Sequence, residues 1–154
     1  MLSILLALAA QATDKLPPAQ ALPPPVGDEQ PVLATVDALL ASFKSGDSAA
    51  MLRWVYPEGR VTATGRRASS SGIRSESWTQ FAQRASGSAF EETISDPAVE
   101  VDGDAAMVWA PFVVRIDGKV SNCGFDHFDL VRDGGVWKVM NLTFSSRMTE
   151  CPAE

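Results

Sequence analysis

Residues 104–147 read DAAMVWAPFVVRIDGKVSNCGFDHFDLVRDGGVWKVMNLTFSSR. Three runs rich in Val, Phe, Trp, Ile and Leu are separated by Asp117-Gly118 and by Asp133-Gly134-Gly135. Asp-Gly supplies the positive φ angles of tight hairpins, so the pattern predicts an antiparallel meander of three long strands. A two-residue turn at Asp117-Gly118 sets Trp109 opposite Asp126 and Phe112 opposite Cys123. A two-residue turn at Asp133-Gly134 or Gly134-Gly135 places Phe128 and Leu130 on one face with Trp137 and Val139. On this register Met107, Trp109, Val113, Asp126, Phe128, Leu130, Trp137, Val139 and Asn141 share the inner face. Val108, Ala110, Phe112, Val114, Phe125, His127, Asp129, Met140, Leu142 and Phe144 share the outer one. A three-residue loop would exchange the faces of the last strand.

Hairpins alone are marginal in water, so the N-terminal half must cover one face of the meander. Val32, Leu33, Val36, Leu39, Leu40 and Phe43 form a helical stripe that Gly46 ends. Asp47 caps a short second helix through Met51 and Leu52. Residues 60–64 are a short strand candidate, and residues 65–74, GRRASSSGIR, read as loop. Ser75 or Ser77 caps a third helix bearing Trp78, Phe81, Ala82 and Ala85 at i, i+3, i+4 and i+7. Residues 90–101 follow as a strand, irregular at Asp96-Pro97. The order is α+β, with the helices on one face of a sheet.

Upstream, residues 1–12 are a short apolar run ending in Ala10-Gln11-Ala12, the small-residue pattern of a secretory signal peptide, although no Lys or Arg precedes it. Residues 13–31 hold most of the prolines and read as a disordered linker, leaving residues 32–151 as the folded domain. The expectation is export, to the periplasm or medium of a bacterium. A net charge of −6 argues against nucleic acid and anionic membrane surfaces as partners. The first apolar run is too short to span a bilayer. With 45% apolar residues the chain can build one sizeable core.

The two cysteines, Cys123 and Cys151, read in an exported chain as one disulfide tying the tail to a central strand. His127 is the only histidine. Asp129 shares its face, and the two form either a general-base pair or a structural one. Asp126, assigned to the interior opposite Trp109 and near Asn141, is a carboxylate whose charged form burial disfavours. Trp54, Tyr56, Trp78, Trp109 and Trp137 are candidates for pocket or core. Arg60, Arg66, Arg67 and Arg74 gather around the polar loop, as a site for an anion or as a solvated surface. Asn141-Leu142-Thr143 matches a glycosylation sequon but falls within a strand. No phosphate loop, nucleophile elbow or zinc spacing is present, so neither cofactor nor metal is implied.

The element order resembles the NTF2-like superfamily, with its SnoaL-like and ketosteroid-isomerase-like proteins. The residues that carry the resemblance are ALLASFKSGD at 38–47, SWTQF at 77–81, DAAMVW at 104–109, FDLVR at 128–132 and GVWKV at 135–139. The resemblance implies a cone, a strongly curved antiparallel sheet with three N-terminal helices on its concave face and a pocket at its open end. It also implies a homodimer through the convex sheet face, which the sequence register assigns to Phe112, Val114, Phe125, Leu142 and Phe144. Two functions follow. One is binding of a small, largely apolar molecule at Trp109, Asp126 and Asn141 without turnover. The other is a cofactor-independent isomerase or dehydratase using Asp126 or His127 as general base.

Overall fold

A computed structural model describes residues 28–67 and 70–152. The signal-peptide reading and most of the proline-rich segment lie outside the described residues. The first helix, α1 (Glu29–Ser45), begins three residues before the expected Val32 and takes in Pro31. Proline is tolerated there because a first-turn N–H has no intrahelical acceptor. Gly46, at φ 63°, closes α1 in the left-handed conformation, its N–H bonded to the Phe43 carbonyl. Asp47 caps α2 (Ser48–Arg53), its carboxylate accepting from the N–H groups of Ala49 and Ala50 at 2.9 and 3.1 Å. Ser77, rather than Ser75, caps α3 (Trp78–Ala85) in a reciprocal capping box with Gln80. No helix among the described residues is long and apolar enough to cross a membrane.

The strands are β1 (Val55–Arg67), β2 (Ser70–Ser71), β3 (Arg74–Ser77), β4 (Glu91–Ile94), β5 (Ala98–Asp102), β6 (Ala105–Ile116), β7 (Lys119–Asp133) and β8 (Val136–Ser146). They form one curved sheet in the order β2-β1-β8-β7-β6-β4, with β3 on β1 and β5 on β6. The meander β6–β8 is as expected, and Asp96, at φ 43°, breaks the preceding strand into β4 and β5, both paired to β6. Two features depart from the sequence reading. The GRRASSSGIR segment contributes strand at both ends, with Arg60–Ala63 of β1 antiparallel to Arg74–Ser77. Its Ser and Arg content suits an exposed sheet edge as well as a loop. The sheet is also mixed rather than antiparallel, because β1 runs parallel to β8. That pairing joins residues about eighty apart, and no local turn announces it.

The core lies between the sheet's concave face and the helices. Val32, Val36, Leu39 and Phe43 of α1, with Trp78 and Phe81 of α3, join Val108, Phe128, Leu130, Val139 and Leu142 in one buried cluster. Two bulges decide which strand residues reach it. The hairpin turn at Asp117-Gly118 has two residues, since Ile116 pairs with Lys119. Ser121 is then left over between Val120, paired with Arg115, and Asn122, paired with Val114. From there Trp109 stands opposite His127 and Ala110 opposite Asp126, a shift of one from the expected register. Consequently Val108, Ala110, Phe112 and Val114 face inward, while Trp109 faces out and is 46% exposed.

The second bulge is Met140. Leu130 pairs with Val139 and Asp129 with Asn141, so Met140 has no partner on β7. Leu142 and Phe144 therefore turn inward beside Trp137 and Val139, not outward as the unbroken alternation predicts. The Met140 carbonyl accepts a 2.9 Å hydrogen bond from Nε1–H of Trp78, which is buried. Gly59 of β1 passes so close to the same carbonyl that a Cβ there would overlap it.

Cys123 and Cys151 are bonded, with Cα atoms 5.6 Å apart. The backbone of Arg147 pairs with that of Cys123, so the tail folds back over the outer face and buries Cys123.

Trp78→Phe keeps most of the ring's volume and removes only the N–H. The orphaned Met140 carbonyl is expected to cost about 1–3 kcal/mol in urea unfolding. A loss within about 0.5 kcal/mol, the range of ordinary surface changes, would show that the bulge does not depend on this donor.

Candidate functional site

Alternation along β4 builds one wall of a cavity. Phe90 and Ile94 pack against the core, so Glu92 between them is turned the same way, while Glu91 is turned out. Glu91 takes a 2.8 Å ion pair from Lys44. The hydrogen bond and charge of that lysine hold its carboxyl below the usual range. Glu92 meets the opposite environment. Its Oε1 is shut off from solvent and has no hydrogen-bond partner. Burial alone pushes its pKa up to about 8.

The cavity into which Glu92 projects has a volume of about 750 Å³. It opens between α3, the residues that follow it and the β6–β7 end of the sheet. Its apolar wall includes Phe43, Phe81, Phe90, Phe112, Phe144 and Leu142. Phe43 holds Phe81 and Phe90 at centroid distances of 5.4 and 5.1 Å, and Phe112 meets Phe144 edge-on at 6.0 Å. These packed rings fix the wall's shape. Arg84 and Asp117 stand among the lining residues; the Arg84 guanidinium is paired with Glu76 and lies 5.1 Å over the Phe81 ring.

Polar groups enter this apolar space in register across the sheet. Glu92 pairs with Val114 and Val114 with Asn122, so Glu92 and Asn122 flank one inward-facing residue. Two residues along β7, Gly124 approaches the Ser145 backbone too closely for any side chain, which lets β7 curl against β8. Two further, Asp126 lies between Ala110 and Phe144 and is 1% exposed. Asp126 Oδ2, Asn122 Oδ1 and Ser146 Oγ, like Glu92 Oε1, are buried without a partner. Burial, then the nearby charge of Glu92, raises the Asp126 pKa well above the ordinary carboxylate value. Both shifts favour the protonated form of the carboxyl concerned.

The expected site divides. Asp126 is inside, as its alternation with Phe128 and Leu130 indicates. Trp109 is outside, stacked on Phe125 at 5.3 Å and 6.0 Å from the His127 ring. Asn141 is tied into the strand ladder, accepting from the Arg60 N–H at 3.1 Å and donating to Asp129 Oδ2 at 3.4 Å. Trp109, Asp126 and Asn141 thus do not share a pocket. His127 and Asp129 do share a face, the outer one, with Nε2 and Oδ1 3.6 Å apart. Trp78 and Trp137 are core, and neither Trp54 nor Tyr56 lines the cavity. Arg60 donates to Ser75 Oγ, and neither it nor Arg74 lines the cavity. The side chains of Arg66 and Arg67 lie outside the described residues. Glu92 and Asn122 were missed, although the Phe90-x-Glu92-x-Ile94 alternation already points Glu92 inward.

Residues 27–145 match the model of a family described as "Putative lumazine-binding", and the chain belongs to that family. Solved NTF2-like structures superpose on it. One from Cytophaga hutchinsonii has a TM-score of 0.65 at 12% identity, covering 79% of this chain and 100% of its own. One from Novosphingobium aromaticivorans, with a cystatin-like fold, has a TM-score of 0.63 at 14% identity, covering 82% and 84%. A third, from Shewanella baltica, has a TM-score of 0.59 at 12% identity, covering 82% and 95%. No curated protein matches the chain. The fold is NTF2-like.

The buried carboxyl pair has a consequence for stability. Unfolded, Glu92 ionises near 4.5; folded, it keeps its proton to about 8. Between those values the folded state binds more protons, so stability falls as pH rises through the window, and Asp126 acts in the same direction. Thermal unfolding should therefore give a lower Tm at pH 8 than at pH 5. The Glu92→Gln, Asp126→Asn double variant should flatten that slope, and a wild-type Tm that rises over the range would contradict the assignment.

Proposed function

We propose that this chain binds a small, largely apolar molecule in its cone cavity and does not turn it over. The observation that carries the reading is the cavity itself: about 750 Å³, walled by packed phenylalanines, with a few convergent polar groups. That size and composition are those of small-molecule sites. The family's description names lumazine, a planar heterocycle, as a ligand class to test. A general base would have to be ionised at working pH, and burial works against this for Asp126. His127 projects from the opposite face of the sheet. Both points favour binding over the isomerase or dehydratase alternative.

The test is ligand-induced stabilisation, since a molecule that binds only the folded state raises its Tm. Planar or aryl-alkyl molecules with one polar head should raise Tm in a saturable way. Val114→Phe, which fills the space between Glu92 and Asn122, should abolish the shift while the protein stays folded. Trp109→Ala should leave the shift unchanged, because that ring is on the other side of the sheet. Equal shifts in wild type and Val114→Phe would remove the cavity from consideration.

Export and self-association complete the proposal. The Cys123–Cys151 bond and the Ala10-Gln11-Ala12 ending support an oxidising compartment, the bacterial periplasm or beyond. The expected mature chain lacks residues 1–12 and resists alkylation until reduced, as intact mass would report. The patch first assigned to a dimer does not exist on the outside, because Phe112, Val114, Leu142 and Phe144 face the interior. The convex face instead presents Trp109 and Phe125, 46% and 38% exposed. A homodimer across that stacked pair should appear as a dimer mass in light scattering and revert to monomer in Trp109→Asp.

A further inference from the structure

Two polar groups of the cavity wall share one chemical deficit: Glu92 Oε1 and Asn122 Oδ1 are buried without a hydrogen-bond partner, as is Asp126 Oδ2 nearby. Glu92 and Asn122 line the cavity directly, and Asp126 lies on the same inner face of β7, close enough to feel the charge of Glu92. Buried polar atoms in folded proteins are nearly always satisfied, so several orphans converging on one space mark a missing partner. A head with several donors satisfies such oxygens, and one that also carries positive charge favours the ionised form of a carboxyl that burial otherwise keeps neutral.

We propose that the ligand's polar head is a primary ammonium, seated against Glu92 and Asn122 on the wall nearest Asp126, with an apolar or aromatic body against the phenylalanine wall. The proposal rests on the cavity-binding reading above and adds the chemistry of the head. An ammonium carries three N–H donors, a positive charge and no acceptor, which suits an ionised Glu92 carboxylate beside the Asn122 amide oxygen. One ring of the wall already serves a cation, since the Arg84 guanidinium lies 5.1 Å over Phe81. The other charged groups near the cavity do not oppose this, and Arg115 of β6 acts on its ladder partner Glu91 from the outer face. Arg84 is engaged by Glu76, and Asp117 at the β6–β7 turn has the favourable sign. Lys44 and Glu91 pair with each other on the outer side of β4, and His127 and Asp129 lie on the outer face of β7.

The proton balance follows. Without a bound cation Glu92 keeps its proton to about pH 8. When the ammonium enters, one carboxyl ionises and its proton leaves to solvent, so a neutral acid is replaced by an ion pair with one proton released per ligand. Affinity should then rise about tenfold per pH unit until pH reaches the pKa of Glu92, about 8, and level off above it.

The test uses the full chain and three ligands of one shape: phenylbutylamine, phenylbutanol and phenylbutyrate, titrated calorimetrically. At pH 8 the amine should bind at least about tenfold more tightly than the alcohol, and the carboxylate should not bind. Titration in two buffers of different ionisation heat, at pH 6.5, should show close to one proton released with the amine and none with the alcohol. Glu92→Gln combined with Asp126→Asn should erase the preference for amine while alcohol binding remains. If the alcohol binds as tightly as the amine, with no proton released, the ammonium proposal is overturned and the cavity reading stands. If neither binds, both fall.

Discussion

The hydrogen bond from Trp78 Nε1–H to the Met140 carbonyl is where the N-terminal half and the sheet determine one another. Met140 is an extra residue in β8, and an extra residue leaves a carbonyl that no ladder partner takes. In a buried setting that group must find a donor, and the indole of the first residue of α3 supplies it. The bulge then inverts the alternation of β8, sending Leu142, Phe144 and Ser146 into the cone. Gly59 of β1 has to be glycine for β1 to lie against the same carbonyl. One side-chain donor thus connects the docking of α3, the parallel pairing of β1 with β8, and half of the cavity wall.

What the sequence revealed follows from how local each signal is. The helices were legible because their caps and stops are encoded within a few residues: Gly46, Asp47, and Ser77 with Gln80. The meander was legible because Asp117-Gly118 and Gly134-Gly135 are turn chemistry. The faces were not, because each bulge adds a single residue that looks like any other strand residue. Ser121 and Met140 carry no signature, yet each exchanges every position beyond it between core and solvent. Asp126 survived because its own alternation with Phe128 and Leu130 is uninterrupted. Trp109 and Asn141 did not, because their relation to Asp126 crosses a bulge. Arg60, which pairs with Asn141 from β1, could not be placed at all without the parallel ladder.

The cysteine reading succeeded for a different reason. With only Cys123 and Cys151 in the chain, pairing needs no geometry, just the premise that they pair. The structure adds what the bond does: it fixes the tail to β7 beyond the Arg147–Cys123 pairing, with Met148 left on the cavity wall. The two faces of β7 therefore serve different ends. The outward residues Cys123, Phe125, His127 and Asp129 concern the tail and the convex surface. The inward residues Asn122, Gly124 and Asp126 concern the cavity.

Adjacent residues of β4 show what is unusual about that cavity. Glu91 and Glu92 are the same chemical group one position apart. Glu91, turned outward to Lys44, has its acidity strengthened, whereas Glu92, turned inward among phenylalanines, is pushed to about 8. An apolar side chain at 92 or 126 would continue the wall around it, and burying an unpaired carboxyl in its place costs stability. A fold selected only to be stable has no use for a buried, unpartnered carboxyl on a cavity wall with a second one close behind it. The cost becomes intelligible if the space is filled during the protein's working life, since a partner supplying donors converts the same oxygens from a liability into recognition. On the proposed binding reading, the deficit on the inner face of β4 and β7 therefore constrains the head of a ligand more closely than the phenylalanine wall constrains its body.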